Sequence, residues 1–522
     1  MGVASRTAPQ KPHGGPNKKG APMAYRIDTI SVAKELDSVK LEHLPGLIVD
    51  ECLTDCAKEL SATADMILSG AMTLPHETLA MPKKKFEPRP VIVASTAARV
   101  AYTALVNSVS DSLGPKSREE ENWQKHESFT ARNESNYIVR FDIVSFYEYI
   151  DHDVLSQQLL THTLNPEAVQ KLGRVLNSMT KTGRGLPQLL SASDHLSDVY
   201  ISTLERRLAR DGYPTVRYAD DFTAACPDWE TANVIIERAA EYARDLGLVL
   251  SSEKTVIKKR STIIAEAEAG ARFINDYIET AKSALMVEVF LWSRYGEMAK
   301  ESQTPDDKEA MEATMWSLVH DWYKRVTEVE PEDSFHVEGH YRPLLRKAIG
   351  LLRGCEERIP EDILHEIVFK HPLFLDSVCG YVTARAETYP REDPWKAIHK
   401  LSAMGRQSPW AKLWLLDTVA RTNVRNSWSY LPVLDWVDQQ VGDRHEVVRA
   451  QAAWAASCHG RLSEGNLTKL YTHASPLSQH ALAACMAKQE GIGKGIIQSI
   501  KQDGPMNRKA FDWVQNKENS TS

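Results

Sequence analysis

The segment that most constrains this chain is Tyr218-Ala219-Asp220-Asp221, in which two adjacent carboxylates lie between two short β-prone runs. A tight hairpin in this place would hold both acids at its tip, facing outward. Two unneutralised carboxylates side by side repel each other, so a fold that places them together usually does so to bind cations. Mg²⁺ prefers oxygen ligands and keeps open positions for phosphate and water. The segment therefore predicts a magnesium site, with an ordinary acidic turn as the alternative interpretation.

A third carboxylate follows a β-prone run upstream, at residues 137–147. The run ends at Asp142, and aromatic residues come after it. A strand here, paired with the hairpin, would bring Asp142 to the same cations. Nucleotidyl transfer needs such carboxylates on separate strands, because one metal activates the attacking 3′-hydroxyl and the other stabilises the leaving pyrophosphate. A strand-end aspartate or a helix cap is the alternative interpretation of Asp142.

Between these acids, a Gly/Pro loop at residues 185–188 leads into a predicted helix. Its apolar positions recur at helical spacing: Leu196, Val199, Tyr200, Leu204 and Leu208. Ser193 or Asp194 is a candidate cap, and Asp211-Gly212 should end the helix.

The order of these segments closely resembles the palm of reverse transcriptases. Asp142 lies where that family has its first metal aspartate, residues 185–188 match its template- and nucleotide-contacting loop, and Tyr218 to Asp221 match its Tyr-x-Asp-Asp box. Residues 246–255 match the next motif, and residues 81–85, 89–93 and 99–100 resemble the fingers elements. The resemblance covers roughly residues 80 to 275, and motifs in the family's order are more specific than any one motif.

The resemblance implies a role for each matching residue. Two Mg²⁺ ions would be bound by Asp142, Asp220, Asp221 and the backbone carbonyl of Ile143, and Lys254 would donate a proton to pyrophosphate. The triphosphate or the template would contact Lys84, or another lysine of the run 83–85, and Arg89. Gln188 would position the templating pair, and Tyr218 would contact substrate. Tyr147 would lie beneath the sugar of the incoming nucleotide, so the enzyme should prefer deoxynucleotides.

The chain departs from common reverse transcriptases in the loop motif. Leu189 stands where the family has glycine, and Asp194 where it has proline. A leucine there restricts the approach of the template backbone. This variant resembles defence-associated and abortive-infection reverse transcriptases of prokaryotes, which suggests a role in antiviral defence. The sequence contains no second acidic cluster of the kind that would suggest an RNase H domain, and no His/Cys array with zinc-ligand spacing.

Composition is that of an ordinary globular protein. The formal net charge is −7, so nucleic acid would follow local basic runs such as residues 83–85, Arg89, Arg99 and 258–260. For 258–260 a solvated surface is an equal alternative. The seven cysteines are scattered, as expected for free thiols in the cytoplasm. Apolar runs are too short to span a membrane.

Beyond about residue 280 the sequence has few strand-forming runs, and its pattern predicts successive helices. Similar segments begin near Leu345, Lys412, Arg449 and Gln479, at spacings that suggest stacked helix pairs. We interpret this half as a HEAT-like helical repeat, with an irregular helical domain as the alternative. The predicted fold is therefore α+β: a disordered leader (1–23), right-hand fingers and palm (24–280), then an all-α repeat domain (281–515).

The predicted function is an RNA-directed DNA polymerase that joins dNTPs, acting with a nucleic-acid template or product. A protein-primed reaction, a noncoding RNA partner and a homo-oligomer are further expectations from the relatives. The alternatives are a retroelement-derived enzyme of retron or group II intron type, an RNA polymerase or primase with the same palm, and a helical-repeat binding protein with an inactive palm. The intact set of acids argues against the last of these.

Overall fold

The computed structural model describes residues 27–83, 88–114, 118–163, 165–180, 182–282, 305–328, 331–423 and 427–521. The predicted leader at 1–23 and the site residue Lys84 lie outside these ranges. In the described part of the chain, no helix is both long and apolar enough to cross a membrane. All seven cysteines are free thiols, as predicted.

The N-terminal half contains all six strands of the described chain and eleven α-helices. The strands are β1 (His76–Met81), β2 (Arg89–Ala94), β3 (Tyr137–Asp142), β4 (Thr215–Tyr218), β5 (Asp221–Cys226) and β6 (Val256–Lys259). The helices are α1 (Thr29–Lys34), α2 (Ile48–Glu51), α3 (Ala57–Ser69), α4 (Thr96–Ser110), α5 (Glu120–Arg132), α6 (Phe146–Tyr149), α7 (His152–His162), α8 (Pro166–Thr180), α9 (Ser191–Arg210), α10 (Trp229–Asp245) and α11 (Arg260–Lys282).

The four-stranded antiparallel sheet has the order β4-β5-β3-β6, and β1 pairs with β2 in a separate hairpin. Phe141 and Phe222 lie directly opposite each other on β3 and β5, with stacked rings 4.9 Å apart. Both are buried and join the main core. On the other face, Ile138 and Ala225 pack with Ile263 of α11. Because both faces are covered, a one-residue slip would move each apolar set to the wrong side, and the pairing register is therefore well specified.

The helix predicted after the Gly/Pro loop is α9, and its predicted apolar positions are buried. Its predicted end is also observed, with Asp211 as C-cap and Gly212 in the left-handed region at φ 85°. The predicted caps are wrong. The helix begins at Ser191, and the N-cap is Leu190, without a side-chain cap. Ser193 and Asp194 lie inside the first turn, so their side chains are available for tertiary contacts.

Arg99 does not lie on a nucleic-acid surface, contrary to the sequence expectation. Its side chain is 1% exposed, forms an ion pair with Asp50, and donates to the carbonyls of Val39 and Ala94. These donors are all occupied by the protein, so Arg99 joins α4 to the N-terminal segment.

Beyond α11, the described elements are helical. They are α12 (Pro305–Glu328), α13 (Pro331–Leu352), α14 (Glu361–Lys370), α15 (Leu375–Thr388), α16 (Pro394–Ser402), α17 (Pro409–Arg421), α18 (Tyr430–Gln440), α19 (Glu446–Cys458), α20 (Glu464–Thr472), α21 (Gln479–Lys488), α22 (Lys494–Asp503) and α23 (Pro505–Thr521). The odd-numbered helices from α13 to α23 pack in one row, and α14, α16 and α18 pack in a second.

The first row also packs against the N-terminal half, where α17 contacts β1 and both α19 and α21 contact α2. Gln451 accepts from the backbone N–H of Ile48 at 2.9 Å, and Trp410 donates to the carbonyl of His43 at 2.7 Å. His480 lies 2.8 Å from the carbonyl of Val49. The helical region is thus joined to residues 43–49 by buried polar contacts.

Glu77 on β1 caps a helix of the C-terminal region. Its carboxylate accepts from the N–H groups of Glu446 and Val447 at 3.0 and 3.1 Å, at the start of α19. A negative charge that binds two free N–H groups at a helix N-terminus is favourable. We expect Glu77→Ala to lower the free energy of unfolding by about 1–2 kcal/mol in urea denaturation. Glu237→Ala, at an exposed position of α10, is the control; equal effects of the two variants would contradict the cap.

Candidate active site

The three acids singled out in the sequence lie together at one end of the four-stranded sheet. The antiparallel register places Asp142, the last residue of β3, directly opposite Asp221, the first residue of β5. Directly opposed residues share one face of a sheet and have Cα atoms about 4.5–5.5 Å apart. Asp220 occupies the turn just before Asp221. The predicted hairpin and its predicted neighbouring strand are therefore both present.

The three acids interact electrostatically. Burial, and then the charge of Asp220, raise the pKa of Asp142 to about 7, although Lys254 opposes this rise. Burial and the charge of Asp221 likewise raise the pKa of Asp220. Asp142 is 5% exposed, whereas Asp220 and Asp221 are partly exposed. The carboxylates thus need positive charge that the surrounding protein supplies incompletely.

Lys254 provides part of that charge. Its ammonium donates to Asp142 Oδ2 at 2.6 Å from the turn that precedes β6. The backbone N–H of Ser251 donates to the carbonyl of Asp142 at 2.7 Å and fixes this turn against β3. Burial lowers the pKa of Lys254, but its bond to Asp142 and the charges of the other acids outweigh burial and raise that pKa. Lys254 therefore stays protonated beside the acids.

The backbone of Ile143 is also near the acids. Ile143 forms an isolated antiparallel bridge with Leu250, flanked by the bonds from Val144 to Val249 and from Ser251 to Asp142. In a pair with this pattern, the N–H and C=O of the central residue point away from the partner strand. The carbonyl of Ile143 is consequently directed away from Leu250, toward the side of β3 where β5 lies.

Arg217 stabilises the turn that carries Asp220. Arg217 donates to the carbonyl of Ala219 at 3.2 Å and forms ion pairs of 2.7 Å with Asp198 and Glu205 of α9. The side chains of Arg217 and Asp198 are only 8% and 7% exposed. Ala219 has φ 53°, a conformation that two-residue hairpin loops usually give to glycine. The buried ion pair thus stabilises a strained turn at the position that presents Asp220.

The loop at residues 185–188 is fixed against the segment that follows Asp142. The N–H of Leu186 donates to the carbonyl of Tyr147 at 2.8 Å, and that of Gly185 donates to the carbonyl of Ile150 at 2.8 Å. Gly185 has φ 94°, and an added Cβ would approach the carbonyl oxygen of Glu148 to 3.4 Å. Glycine is therefore required there. Gln188 follows in the same loop and is partly exposed.

Leu189 keeps a backbone conformation that usually belongs to glycine. Its φ is 66°, its side chain is buried, and its carbonyl accepts from the N–H of Glu42 at 3.1 Å. A left-handed conformation costs a residue with a Cβ about 1–2 kcal/mol. The buried side chain of Leu189 offsets part of this cost.

Tyr147 is held by two residues that sequence analysis did not assign to the site. Its hydroxyl donates to Asp194 Oδ1 at 2.5 Å and accepts from Arg118 Nη2 at 2.9 Å. Arg118 also lies over the Tyr147 ring, 5.5 Å from its centroid. Burial lowers the pKa of Arg118, but Tyr147 and the charges of Asp194 and Asp220 outweigh burial and raise that pKa. Arg118 precedes α5 outside every motif, so only the tertiary structure reveals its position.

The remaining predicted residues differ in the contacts that each of them makes. Tyr218 precedes the turn, and its ring makes an edge contact with Trp123 at 5.0 Å. Arg89 begins β2 in the separate hairpin, and no described contact joins it to the acids. At 258–260, Lys258 binds Glu266, and Arg260 donates to the carbonyls of Thr130 and Ala131. Arg260 therefore has a structural role in joining the start of α11 to α5.

The sequence also matches a known family over this part of the chain. Residues 81–269 match the model described as reverse transcriptase (RNA-dependent DNA polymerase). This segment is therefore similar to reverse transcriptase domains. It extends from the end of β1 into α11 and contains the complete four-stranded sheet. No curated protein matches the chain. The bounds agree with the resemblance noted between about residues 80 and 275.

Reverse transcriptase domains generally use divalent metal ions, and the matching segment of this chain has suitable donors. Hard divalent cations prefer carboxylate and carbonyl oxygens. Asp142, Asp220, Asp221 and the Ile143 carbonyl offer such a set, and the Lys254 ammonium already supplies a positive charge at Asp142. In the described ranges, no group of three or more His, Cys, Asp or Glu side chains meets the geometry of a preformed ion site. The donors fit the metal chemically, and binding requires the carboxylates to converge and Lys254 to release Asp142.

Proposed function

We propose that this protein is an RNA-directed DNA polymerase that joins dNTPs with the help of two Mg²⁺ ions. The observation that carries the proposal is the pairing of Asp142 with Asp221 across β3 and β5, with Asp220 in the adjoining turn. Bound there, the ions would supply activation of the primer hydroxyl and neutralisation of the charge that develops on the triphosphate. The family match over residues 81–269 supports the same reaction.

The protein's own groups would then orient the substrates. Arg118 is a partly exposed cation that interacts electrostatically with Asp220, and Lys254 is a cation bound to Asp142. Lys254, once released from Asp142, would protonate the leaving pyrophosphate. Gln188 would support the templating pair. Lys84, outside the described ranges, and Arg89 would bind the triphosphate or the template.

Tyr147 would select the sugar, because a bulky ring beneath the nucleotide clashes with a 2′-hydroxyl. We expect Tyr147→Ala to raise the ratio of ribonucleotide to deoxynucleotide incorporation by about tenfold or more, since a steric clash of this kind costs on the order of 1–3 kcal/mol. Single-nucleotide addition with paired dNTP and NTP series measures the ratio. Unchanged discrimination would remove Tyr147 from the sugar site.

The experiment for the central proposal is incubation of purified protein with each labelled nucleotide, with and without an RNA template and primer. Products are separated on denaturing gels before and after protease digestion. DNA synthesis that requires a divalent cation supports the proposal, and label that protease releases from protein would reveal protein priming. Incorporation of ribonucleotides alone would favour an RNA polymerase or primase instead. No incorporation under any condition would favour an inactive palm.

The finer assignments concern the C-terminal region and the biological role. We propose that the two rows of helices form a HEAT-like array, because the odd-numbered helices from α13 to α23, and α14, α16 and α18, each pack on the next helix of their own row. The variant loop with Leu189 and Asp194 favours the abortive-infection type and a role in antiviral defence over a retroelement enzyme. A noncoding RNA partner, homo-oligomer formation and a cytoplasmic location belong to the same proposal. Size-exclusion chromatography with light scattering, and sequencing of co-purified nucleic acid, test them.

A further inference from the structure

The hydroxyl of Tyr147 has three polar neighbours although it lies at the end of a largely apolar ring. It is 2.5 Å from Asp194 Oδ1, 2.9 Å from Arg118 Nη2 and 3.1 Å from Ser197 Oγ. A phenol has one hydrogen to donate and two lone pairs. The Tyr147 hydroxyl therefore donates its hydrogen to the Asp194 carboxylate and accepts a hydrogen bond from the Arg118 guanidinium. Both hydrogen bonds are charge-assisted.

The two charged partners also restrain each other. Arg118 Nη1 lies 3.4 Å from Asp194 Oδ1, with side chains that are 36% and 13% exposed. Asp194 is fixed in the first turn of α9, whereas Arg118 enters from the segment before α5. The ring is thus tied at its hydroxyl end to two separate elements. At its backbone end, the carbonyl of Tyr147 accepts from Leu186.

This arrangement has a consequence for how a ring can exclude a substrate. An unrestrained aromatic side chain yields to a steric clash by rotating about its side-chain torsions. A ring bound at both ends would have to break a charge-assisted hydrogen bond to rotate, and such bonds are stronger than neutral ones. The shape of the proposed sugar site then depends on the hydroxyl of Tyr147 as well as on its ring.

We infer that Asp194, together with Arg118, is a positioning residue for sugar selection, because it holds the ring of Tyr147 in place through the tyrosine hydroxyl. The inference rests on the proposed function, since it assigns the specificity of the same site. It differs from a purely steric gate, for which phenylalanine would serve as well as tyrosine.

The test compares nucleotide preference in Tyr147→Phe, Asp194→Ala and Asp194→Asn with that of the wild type. Two readouts are used: KM and kcat for single-nucleotide addition of dNTP and NTP, and equilibrium binding of dATP and ATP in Ca²⁺ by calorimetry. Tyr102→Phe is the matched control, because it removes a buried hydroxyl bonded to the neighbouring residue Ser193 at 2.9 Å. That bond involves the same helix turn but not Tyr147.

We expect Tyr147→Phe and Asp194→Ala to reduce the preference for the deoxy sugar by about tenfold, mainly through tighter binding of the ribonucleotide. Asp194→Asn keeps an acceptor and should recover most of the preference, and Tyr102→Phe should leave it unchanged. A merely structural role would lower both activities together without changing their ratio.

The inference is overturned if Tyr147→Phe discriminates between the sugars as well as the wild type does, or if the wild type shows no preference. It is also overturned if Tyr102→Phe changes the preference as much as Asp194→Ala does. Should the wild type bind dATP over ATP yet add neither, the polymerase proposal fails. In that case the ratio of dATP binding to ATP binding in each variant decides whether the inference holds.

Discussion

Replacing Asp220 with asparagine lowers the rate of dNTP incorporation by at least about a thousandfold, because a divalent cation at a developing charge contributes several kcal/mol to transition-state stabilisation. Asparagine has nearly the same size, so the hairpin should keep its shape. Asp221→Asn should act in the same direction. Asp245→Asn, on an exposed ion pair with Arg207, makes the same charge change away from the site and is the control. Retention of near wild-type rates by Asp220→Asn would contradict the metal assignment.

The same variant should be at least as stable as the wild type when no divalent cation is added. The pKa of Asp220 is raised in the folded protein, first by burial and then by Asp221. For an acid, a raised folded-state pKa means that ionisation at neutral pH destabilises the folded state, so neutralising the residue removes this penalty. Added Mg²⁺ should raise the denaturation temperature of the wild type more than that of the variant. A large loss of stability in Asp220→Asn would instead indicate a structural role.

Replacing Arg217 with methionine should lower the free energy of unfolding by about 3–5 kcal/mol, because the buried carboxylate of Asp198 would lose this ion pair. Loss of the bond to the Ala219 carbonyl would also release the turn that carries Asp220, so nucleotide addition should fall in parallel. Urea denaturation followed by tryptophan fluorescence measures the first effect, and single-nucleotide addition measures the second.

Two controls separate this effect from general damage to the fold. Arg207→Met disrupts an ion pair whose side chains are 36% and 61% exposed, and such a pair contributes only about 0–1 kcal/mol. The double variant Arg217→Met, Asp198→Leu replaces both buried charges and should recover much of the stability lost by the single change. An equal loss in Arg207→Met and Arg217→Met would show that burial of the pair is unimportant.

The strands and acids of the site could be predicted because their signals are local. A run of β-branched and aromatic residues indicates β3, and the acids interrupt two β-prone runs at residues 215–226. The family's order of motifs then suggests that Asp142 and Asp221 are neighbours, which is how the structure arranges them. The end of α9 could likewise be predicted, because glycine readily adopts the positive φ that ends a helix, and Gly212 has such a φ.

The partners of these groups could not be predicted, because they come from distant elements without a repeating pattern. Asp194 resembles a helix cap in sequence, yet its carboxylate binds Tyr147, which lies 47 positions away. Arg99 resembles a surface cation of the fingers, yet Asp50 neutralises it inside the core. Arg118 belongs to no motif. The partners of these side chains depend on tertiary packing, which cannot be predicted from residue spacing.

The most direct test of the account is a crystal structure with Mn²⁺ and an unreactive dNTP analogue, with the metal located by anomalous scattering. The account predicts manganese bound at about 2.1 Å to oxygens of Asp142 and Asp220, with Lys254 displaced from Asp142. Manganese peaks elsewhere, with the Lys254–Asp142 ion pair intact beside a bound nucleotide, would contradict it.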